Sequence, residues 1–456
     1  MNPLYDLGDQ SVPAALEEEH MTAKASAPTT RAVLITATEP EPRSFGKQVV
    51  LGGMLDHLCD RLGPKQVNVI LIGRTDVDRP AVPYHLHVIA KPSAAEQLRA
   101  VVQRVLRPPH SSLQEAALWS DRVLAAIAEK LAEIRADQQI WDTMRTGQYA
   151  RHLGRKRRVL YADDLFSKRY ASMLERIEKD PSKVADPLGE FGKLLPSAVG
   201  RIVGRKFVYR RLLQLEQKMT SRSEDRAPDV FDATFLVNAQ ESDELFQRTG
   251  NPTIGTLLPL LRDTGARERR WDGTPIFVFL GGLDFAPNRD GLTWFLANFR
   301  EEVLAAIPDF RLLIVGRDSA RPLPEATAWG DHVQTLGWVD DLDGVLSSCA
   351  ALLSPLRVGS GTKIKVLEAL ARGLPVVATR AGVLGLSVGR PDGCLVAQSP
   401  EQLVDLLAQA ADPVVNQGLA AAARASWLRT FAPAVVGPAY DSAFGIERAQ
   451  DMVALS

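Results

Sequence analysis

Residues 354–386, SPLRVGSGTKIKVLEALARGLPVVATRAGVLGL, decide the fold of this chain. An apolar strand ends near Ser354 and a glycine loop follows at residues 359–362. The loop leads directly into a helix over residues 363–372. Glycine lets backbone N–H groups approach a ligand closely, and the start of a helix adds partial positive charge. Lys363 adds a full charge at that start, so the combination suits a diphosphate. A tight turn that only opens a buried helix is the alternative that the spacing leaves open.

Glu368 is the one acid on this otherwise mostly apolar helix. Its carboxylate is either exposed and paired with Lys365 or Arg372, at positions i−3 and i+4, or it points at a ligand. Such a carboxylate can accept both hydroxyls of a ribose. The periodicity of the helix does not choose between these two roles.

Apolar strands alternate with helical patterns on both sides of this stretch, and a polar segment at residues 262–275 separates two such series. Alternation of this kind predicts parallel βαβ units, so we expect an α/β protein with two doubly wound Rossmann-like domains facing across a cleft. The predicted parts are a disordered tail (1–30), an N-terminal domain (31–262), a C-terminal domain (275–430) and a C-terminal helix within 431–456 that packs back on the N-terminal domain.

Individual elements follow from the same patterns. In the N-terminal domain one helical pattern covers residues 112–135, and a later helix has its cap at Asn238 or Ser242. The strands expected in this domain are at residues 31–36, 67–73, 85–90, 139–141, 158–161 and 233–237. Those expected in the C-terminal domain are at residues 276–280, 310–315, 333–336, 350–354 and 375–378.

The composition is that of a globular protein, with 45% apolar and 24% charged residues. Three separated cysteines without a CxxC pair disfavour a disulfide framework and fit a reducing cytoplasm. No apolar run approaches the length needed to span a bilayer, and the first 30 residues lack the pattern of a secretory signal. We therefore expect a cytoplasmic protein.

A basic segment stands out at residues 145–226, which hold 20 Lys/Arg and 10 Asp/Glu in a chain of net charge −1. Such a segment is either a solvated helix face or a surface that meets an anionic membrane or a phosphorylated substrate. We hypothesise a weak peripheral membrane contact, because apolar residues lie among the cations. They are Leu194, Leu195, Val199, Ile202 and Val203.

The stretch from 354 to 386 resembles the C-terminal domain of family-4 retaining glycosyltransferases, which have the GT-B fold. The similarity lies in the glycine loop, LEALA at residues 367–371, Gly373, PVVAT at 375–379 and Gly382. It extends upstream to FLGGLDFAPNRDGLTWFL (279–296), RLLIVGR (311–317) and LGWVDDL (336–342), and so covers about residues 275–430. The N-terminal half is similar in layout only, with Gly46 after the first strand and Asp163-Asp164 after a central strand.

The resemblance implies roles for residues at matching positions. Glu368 corresponds to the second glutamate of an E-x7-E pattern and would hold the ribose, whereas the first glutamate falls on Ser360 and is absent. The chain is thus similar to a subgroup with a GSGTK-like loop, in which Thr362 and Lys363 would meet phosphates. The donor-binding positions implied are Gly46, Gly282, Asn288, Arg317, Trp338, Arg357, Gly359, Ser360, Gly361, Thr362 and Glu368.

Other positions depart from the family. An Arg and a Lys that grip the diphosphate in many members read Gly282 and Asn288 here, and Arg357, Lys363 or Arg289 would supply the charge instead. Arg317 and Trp338 follow strand ends that would frame the nucleotide base.

The catalytic histidine of the family has no clear equivalent in the N-terminal half. Asp164 is its nearest candidate by location. We therefore take Lys363 and Asp164 as the catalytic candidates.

The resemblance implies a glycosyltransferase that uses a nucleotide-sugar donor, needs no cofactor and acts on a glycan, lipid-linked or protein acceptor. It further implies retention of configuration, no metal and a place in surface polysaccharide or glycoconjugate synthesis. The alternatives are another GT-B enzyme, such as a nucleotide-sugar epimerase or a phosphorylase, and an inactive GT-B protein that only binds.

Several other classes of function are disfavoured. No G-x-G-x-x-G follows the first strand, no P-loop motif occurs, and the basic segment lacks the interleaved aromatics of a nucleic-acid binder. Two D-x-D pairs, at 76–78 and 341–343, and the pair His85 and His87 are interpreted as chance patterns rather than metal sites.

Overall fold

The computed structural model describes residues 30–105, 111–154, 156–179, 206–263, 269–317, 323–359 and 361–446. Among these, two parallel sheets form, one in each half of the chain. The predicted α/β fold class, with two doubly wound domains, is confirmed. No helix within the described ranges is both long enough and apolar enough to cross a bilayer.

The first sheet has seven parallel strands in the order β3-β2-β1-β4-β5-β6-β7. Its strands are β1 (Ala32–Thr36), β2 (Val67–Gly73), β3 (His85–Ala90), β4 (Gln138–Asp142), β5 (Arg157–Asp163), β6 (Ala233–Leu236) and β7 (Ile254–Thr256). The strand order reverses between β1 and β4, which is where open α/β sheets bind ligands at their carboxyl ends.

Helices cover both faces of this sheet. They are α1 (Gly46–Leu62), α2 (Ala94–Val105), α3 (Leu113–Leu118), α4 (Asp121–Ile134), α5 (Thr143–Gly147), α6 (Phe166–Lys179), α7 (Lys206–Arg226) and α8 (Ala239–Thr249). Strands buried on both faces explain why β2 reads as an almost continuous apolar run.

The second sheet has six parallel strands in the order β10-β9-β8-β11-β12-β13 and reverses between β8 and β11. Its strands are β8 (Ile276–Leu280), β9 (Arg311–Val315), β10 (Val333–Gly337), β11 (Ala351–Ser354), β12 (Val376–Thr379) and β13 (Cys394–Ala397). Its helices are α9 (Ala286–Asn298), α10 (Arg300–Ala306), α11 (Pro324–Thr327), α12 (Leu342–Ser347), α13 (Ile364–Ala371), α14 (Gln402–Ala411) and α15 (Pro413–Ser426).

The last helix, α16 (Pro433–Phe444), follows a π-helical turn at Trp427–Phe431 and packs on the first sheet. Val436, Tyr440 and Phe444 are buried in one cluster with residues of β1, β2 and α1. The Tyr440 hydroxyl donates to Leu258 O at 3.0 Å. The chain therefore crosses between the two sheets twice, once after β7 and once before α16, and the contact of Tyr440 with Leu258 joins the two crossings.

Some predicted elements differ from those observed. The single helical pattern over 112–135 is two helices, α3 and α4, because Ser120 takes an extended conformation and accepts from the N–H groups of Arg122 and Val123 as the cap of α4. Asn238, rather than Ser242, caps α8 by accepting from Glu241 N–H. The short strands β7 and β13 were not predicted.

Candidate functional site

The carboxyl ends of the two sheets meet at the glycine loop that precedes α13. Thr362 Oγ1 donates across the boundary to Val237 O, which follows β6, at 3.3 Å. A Cβ placed on Gly361 would lie 3.1 Å from Asp164 Oδ2, just beyond the end of β5. The loop and Asp164, two parts of the sequence prediction, are therefore neighbours.

Glycine is required at two positions of this loop. Gly359 has φ +154° and Gly361 has φ +67°, conformations that other residues rarely adopt. The Lys363 side chain turns back into the loop, where its ammonium donates to Gly361 O at 3.0 Å. Lys363 is 8% exposed, and burial lowers its pKa to about 8. Ser360, another predicted position, lies outside the described residues.

Glu368 lies on α13 without the partners that an ordinary surface helix would give it. Arg372 binds the Asp343 carboxylate at 2.6 Å, and its contact with Glu368 is to the backbone carbonyl. Lys365 donates to Asn288 Oδ1 at 2.8 Å. No described residue forms a hydrogen bond or ion pair with the Glu368 carboxylate, and burial raises its pKa. Of the two alternatives for Glu368, the ion pair with Lys365 or Arg372 is therefore not found among the described residues.

The loop after β8 holds the two positions at which the sequence departs from the related family. Asn288 is buried and donates from Nδ2 to Gly282 O at 2.9 Å. Its Oδ1 accepts from Lys365. Gly281 has φ +148°, and a Cβ there would lie 2.6 Å from Asn288 Nδ2 and 3.1 Å from Lys365 Nζ. The Lys365 ammonium thus occupies space that glycine leaves open.

The other arginines proposed for the diphosphate lie differently. Arg289 Nε donates to Leu283 O at 3.2 Å. Arg357 is 3.9 Å from Asp290 and its guanidinium lies over the Trp294 ring. Neither arginine makes a described contact with the glycine loop.

The open side of the site carries aromatic residues from both domains. The Arg317 guanidinium lies 5.3 Å from the ring centre of Phe45, the residue before α1. Trp338, after β10, is 56% exposed. A Cβ on Gly46 would meet Ile364 at 3.2 Å, so this glycine lets the start of α1 approach the start of α13.

Asp164 is buried and binds Arg169 of α6 at 3.1 Å. Its carboxylate also acts electrostatically on Lys363, whose pKa it raises against the larger effect of burial. The two residues taken as catalytic candidates from the sequence therefore lie on opposite sides of the same boundary. Their roles stay predictions.

A second polar cluster, which the sequence reasoning missed, lies at the carboxyl ends of β4 and β5. Lys47 of α1 contacts Asp142 Oδ1 at 2.6 Å and Asp163 Oδ2 at 3.2 Å. Thr36 Oγ1, at the end of β1, donates to Asp142 at 2.7 Å. Asp163 and Thr143 have φ of +72° and +65°. Strain at non-glycine residues is typical of functional sites.

Acids at the ends of adjacent parallel strands were the available signal for this cluster. Burial raises the pKa of Asp163, while Lys47 opposes that shift. Burial also lowers the pKa of Lys47, but Asp142 and Asp163 more than offset this and leave it raised. The cluster is thus a buried ion triad beside the cleft.

The residues set aside as chance metal motifs have other contacts. Asp76 pairs with Arg74 at 2.8 Å, and Asp341 caps α12 by accepting from Gly344 N–H at 3.0 Å. His87 contacts Asn68 Oδ1 at 3.1 Å. No cluster of three potential metal ligands occurs within the described parts of the chain.

Residues 274–412 match the family model for glycosyl transferases group 1. These residues are similar to that family, and we call them the glycosyltransferase domain. It contains the glycine loop, Lys363, Lys365 and Glu368, so the site elements of the second sheet all belong to the glycosyltransferase domain.

Solved structures extend the likeness to both sheets. Sucrose-phosphate synthase from Thermosynechococcus elongatus superposes with a TM-score of 0.61 at 15% identity, over 94% of this chain and 100% of that one. WaaG, a glycosyltransferase involved in lipopolysaccharide biosynthesis, gives 0.56 at 17% identity, over 91% and 100%. HepE from Anabaena in complex with UDP gives 0.58 at 11% identity, over 91% and 99%.

These likenesses show that the glycosyltransferase domain is one half of a GT-B fold, as predicted. No curated protein sequence matches the chain significantly.

Proposed function

We propose that this chain moves a sugar from a nucleotide-sugar donor to a glycan, lipid-linked or other acceptor. The observation that carries the proposal is the Glu368 carboxylate, which binds no described residue, on the helix that follows a glycine loop enclosing Lys363, at the carboxyl edge of a doubly wound sheet. Ligands bind at this edge in open α/β folds, and the start of a helix favours an anion there.

Each group has a role in this reaction. Glu368 accepts the ribose hydroxyls, and the loop amides face the diphosphate. Lys363 stabilises the nucleoside diphosphate as it leaves, when negative charge develops on it. Arg317 and Trp338 lie on the open side, where a base would stack. Asp164 faces the loop from the other domain and would meet the sugar or the acceptor.

The comparisons support a nucleotide-sugar donor. Solved structures of HepE hold UDP, UDP with glucose, and UDP-glucose. WaaG acts in lipopolysaccharide biosynthesis, which supports a role in surface polysaccharide or glycoconjugate assembly.

The decisive experiment offers the purified chain a panel of UDP-, GDP- and ADP-sugars and measures release of the nucleoside diphosphate. Slow donor hydrolysis without acceptor, stimulated by a glycan acceptor, is the expected result. Conversion of the donor to its epimer without release would identify an epimerase. Binding without any turnover would identify an inactive GT-B protein.

Retention and metal independence are further parts of the proposal. Proton NMR of the first product should show the donor's anomeric configuration. Turnover in EDTA should equal turnover in magnesium, because the lysines and helix-start amides supply the positive charge. Loss in EDTA that manganese restores would contradict the second part.

We place the reaction at the cytoplasmic side, with weak docking on anionic lipid. The apolar residues of the basic segment between 194 and 203 lie outside the described residues, so the motive remains its charge. Co-sedimentation should be stronger with anionic than neutral vesicles and fall with salt, since exposed charges are screened beyond about 8 Å at 0.15 M.

A further inference from the structure

The roles proposed above do not include Lys365. The loop after β8 presents Gly281 and Gly282 to the site, and no described cation of its own contacts them. The ammonium that does lie there comes from α13, 77 positions away from its partner Asn288. A positive charge is thus delivered to the β8 loop by a different segment.

The surroundings of this ammonium are incomplete for a partly buried lysine. It has three N–H donors, and among the described residues only Asn288 Oδ1 accepts from it. Its other close neighbour is the Phe279 ring, 4.6 Å from Nζ to the ring centre. Lys365 is only partly buried, and the two N–H groups that no described residue accepts from are available to a ligand.

The charges around Lys365 also favour an anion. Lys363 acts on it with like charge, and Glu368 acts with opposite charge. The start of α13 therefore brings two lysines close together, with Glu368 acting on Lys365 and Asp164 acting on Lys363. An anionic ligand would relieve the repulsion between the two lysines.

We propose that Lys365 contacts the diphosphate of the donor and supplies the cation that the β8 loop lacks. This inference rests on the proposed nucleotide-sugar donor. Asn288 is then a positioning residue, because it fixes the ammonium and ties it through Nδ2 to the backbone of Gly282. Gly281 is glycine because a Cβ would displace both side chains.

The pKa of Lys365 supplies an independent readout. Burial, followed by Lys363, lowers it to about 7. A bound diphosphate stabilises the ammonium and raises this pKa, so binding at pH 8 takes up a proton. Lys363, with a pKa of about 8, contributes to the uptake, whereas Phe279, Gly281 and Asn288 have nothing to titrate.

The test compares wild type with Lys365→Met, which keeps an unbranched side chain shorter by one atom and removes the charge. Titration calorimetry with UDP, GDP and ADP finds the preferred nucleoside diphosphate, and the matching nucleoside is the phosphate-free probe. We expect Lys365→Met to weaken diphosphate binding ten- to a hundredfold, as for a lost hydrogen bond to a charged group. Nucleoside binding should not change, and proton uptake at pH 8, measured in two buffers, should fall.

Two further variants sharpen the result. Lys130→Met, on the exposed face of α4, is the matched control and should bind as wild type does. Asn288→Lys in the Lys365→Met background returns a cation to the same place and should restore diphosphate affinity. The melting temperature of Lys365→Met is measured as well, because the substitution removes a partly buried charge but leaves Asn288 Oδ1 without its donor.

The outcomes are separable. Wild-type diphosphate affinity in Lys365→Met would overturn the inference and leave the proposed function intact. An equal loss for nucleoside and diphosphate would also overturn it, because Lys365 would then only shape the loop. Wild-type protein that binds no nucleoside diphosphate would overturn the proposed function itself.

Discussion

At the scale of single residues, Glu368 keeps a carboxylate in a helix where both nearby cations are engaged elsewhere. We expect Glu368→Gln to weaken nucleoside diphosphate binding about ten- to a hundredfold, because each ribose hydrogen bond to a charge contributes about 1.5–3 kcal/mol. The melting temperature should hold or rise, since burial already favours the neutral carboxyl. Calorimetry and thermal unfolding measure both.

The control for this variant is Glu302→Gln on the exposed face of α10, which should change neither quantity. Wild-type affinity in Glu368→Gln together with a lower melting temperature would mean that the carboxylate is structural.

Lys363 should behave differently from Glu368. Its charge matters most while the diphosphate leaves, so Lys363→Met should lower kcat by more than it weakens binding of the donor. Steady-state kinetics and donor titration separate the two effects. Equal losses in kcat and in donor affinity would assign Lys363 to ground-state binding.

Sequence reasoning singled out Glu368 and Lys363 because both lie in one contiguous motif, and their roles stay predictions. From helical spacing it offered Lys365 or Arg372 as possible partners of Glu368, but the Lys365 ammonium donates to Asn288. It named Asp163 but missed its cluster with Lys47 and Asp142, since the contact of α1 with the ends of β4 and β5 depends on how the helix docks. The spacing of residues along one element could be used for prediction, whereas the direction in which a long side chain points could not be predicted.

At the scale of elements, α7 is held to the N-terminal domain by buried carboxyl groups. Glu216 accepts from the N–H groups of Leu113, at 2.7 Å, and Gln114. Glu224 accepts from Ser167 N–H at 3.0 Å. Burial raises the pKa of each glutamate to about 7.

A folded-state pKa above the unfolded value of about 4.3 means that these groups stabilise the fold fully below that value. The contribution is lost as pH rises through about 7. We expect the melting temperature to fall between pH 5 and pH 8. The fall should be smaller in the double variant Glu216→Gln, Glu224→Gln. An unchanged pH profile in that variant would contradict this account.

The elements themselves were largely predictable. Long apolar runs such as β2 and strands followed by glycine loops such as β11 are determined by local sequence. The two strands that were missed, β7 and β13, lie at the edges of the sheets and form because β6 and β12 offer a partner there. The break between α3 and α4 depends on one serine that caps the second helix.

At the scale of the whole molecule, the core of the first sheet is completed by the last described helix. Removing residues from 433 onward takes Val436, Tyr440 and Phe444 out of that core and leaves His57 and Arg61 of α1 without Asp441. We expect the N-terminal half to lose protection in hydrogen exchange while β8 to β13 keep theirs. Uniform loss in both halves would show that the two sheets unfold as one unit.

The return of α16 also sets an order of events during synthesis. The glycosyltransferase domain and its neighbouring helices are complete once residue 432 has left the ribosome, so that half can fold without any later residue. The N-terminal half is made first, yet its core lacks the side chains of Val436, Tyr440 and Phe444 until α16 has been made. Its unfinished surface, between β1, β2 and α1, is therefore the part of the nascent chain that a chaperone would meet for longest.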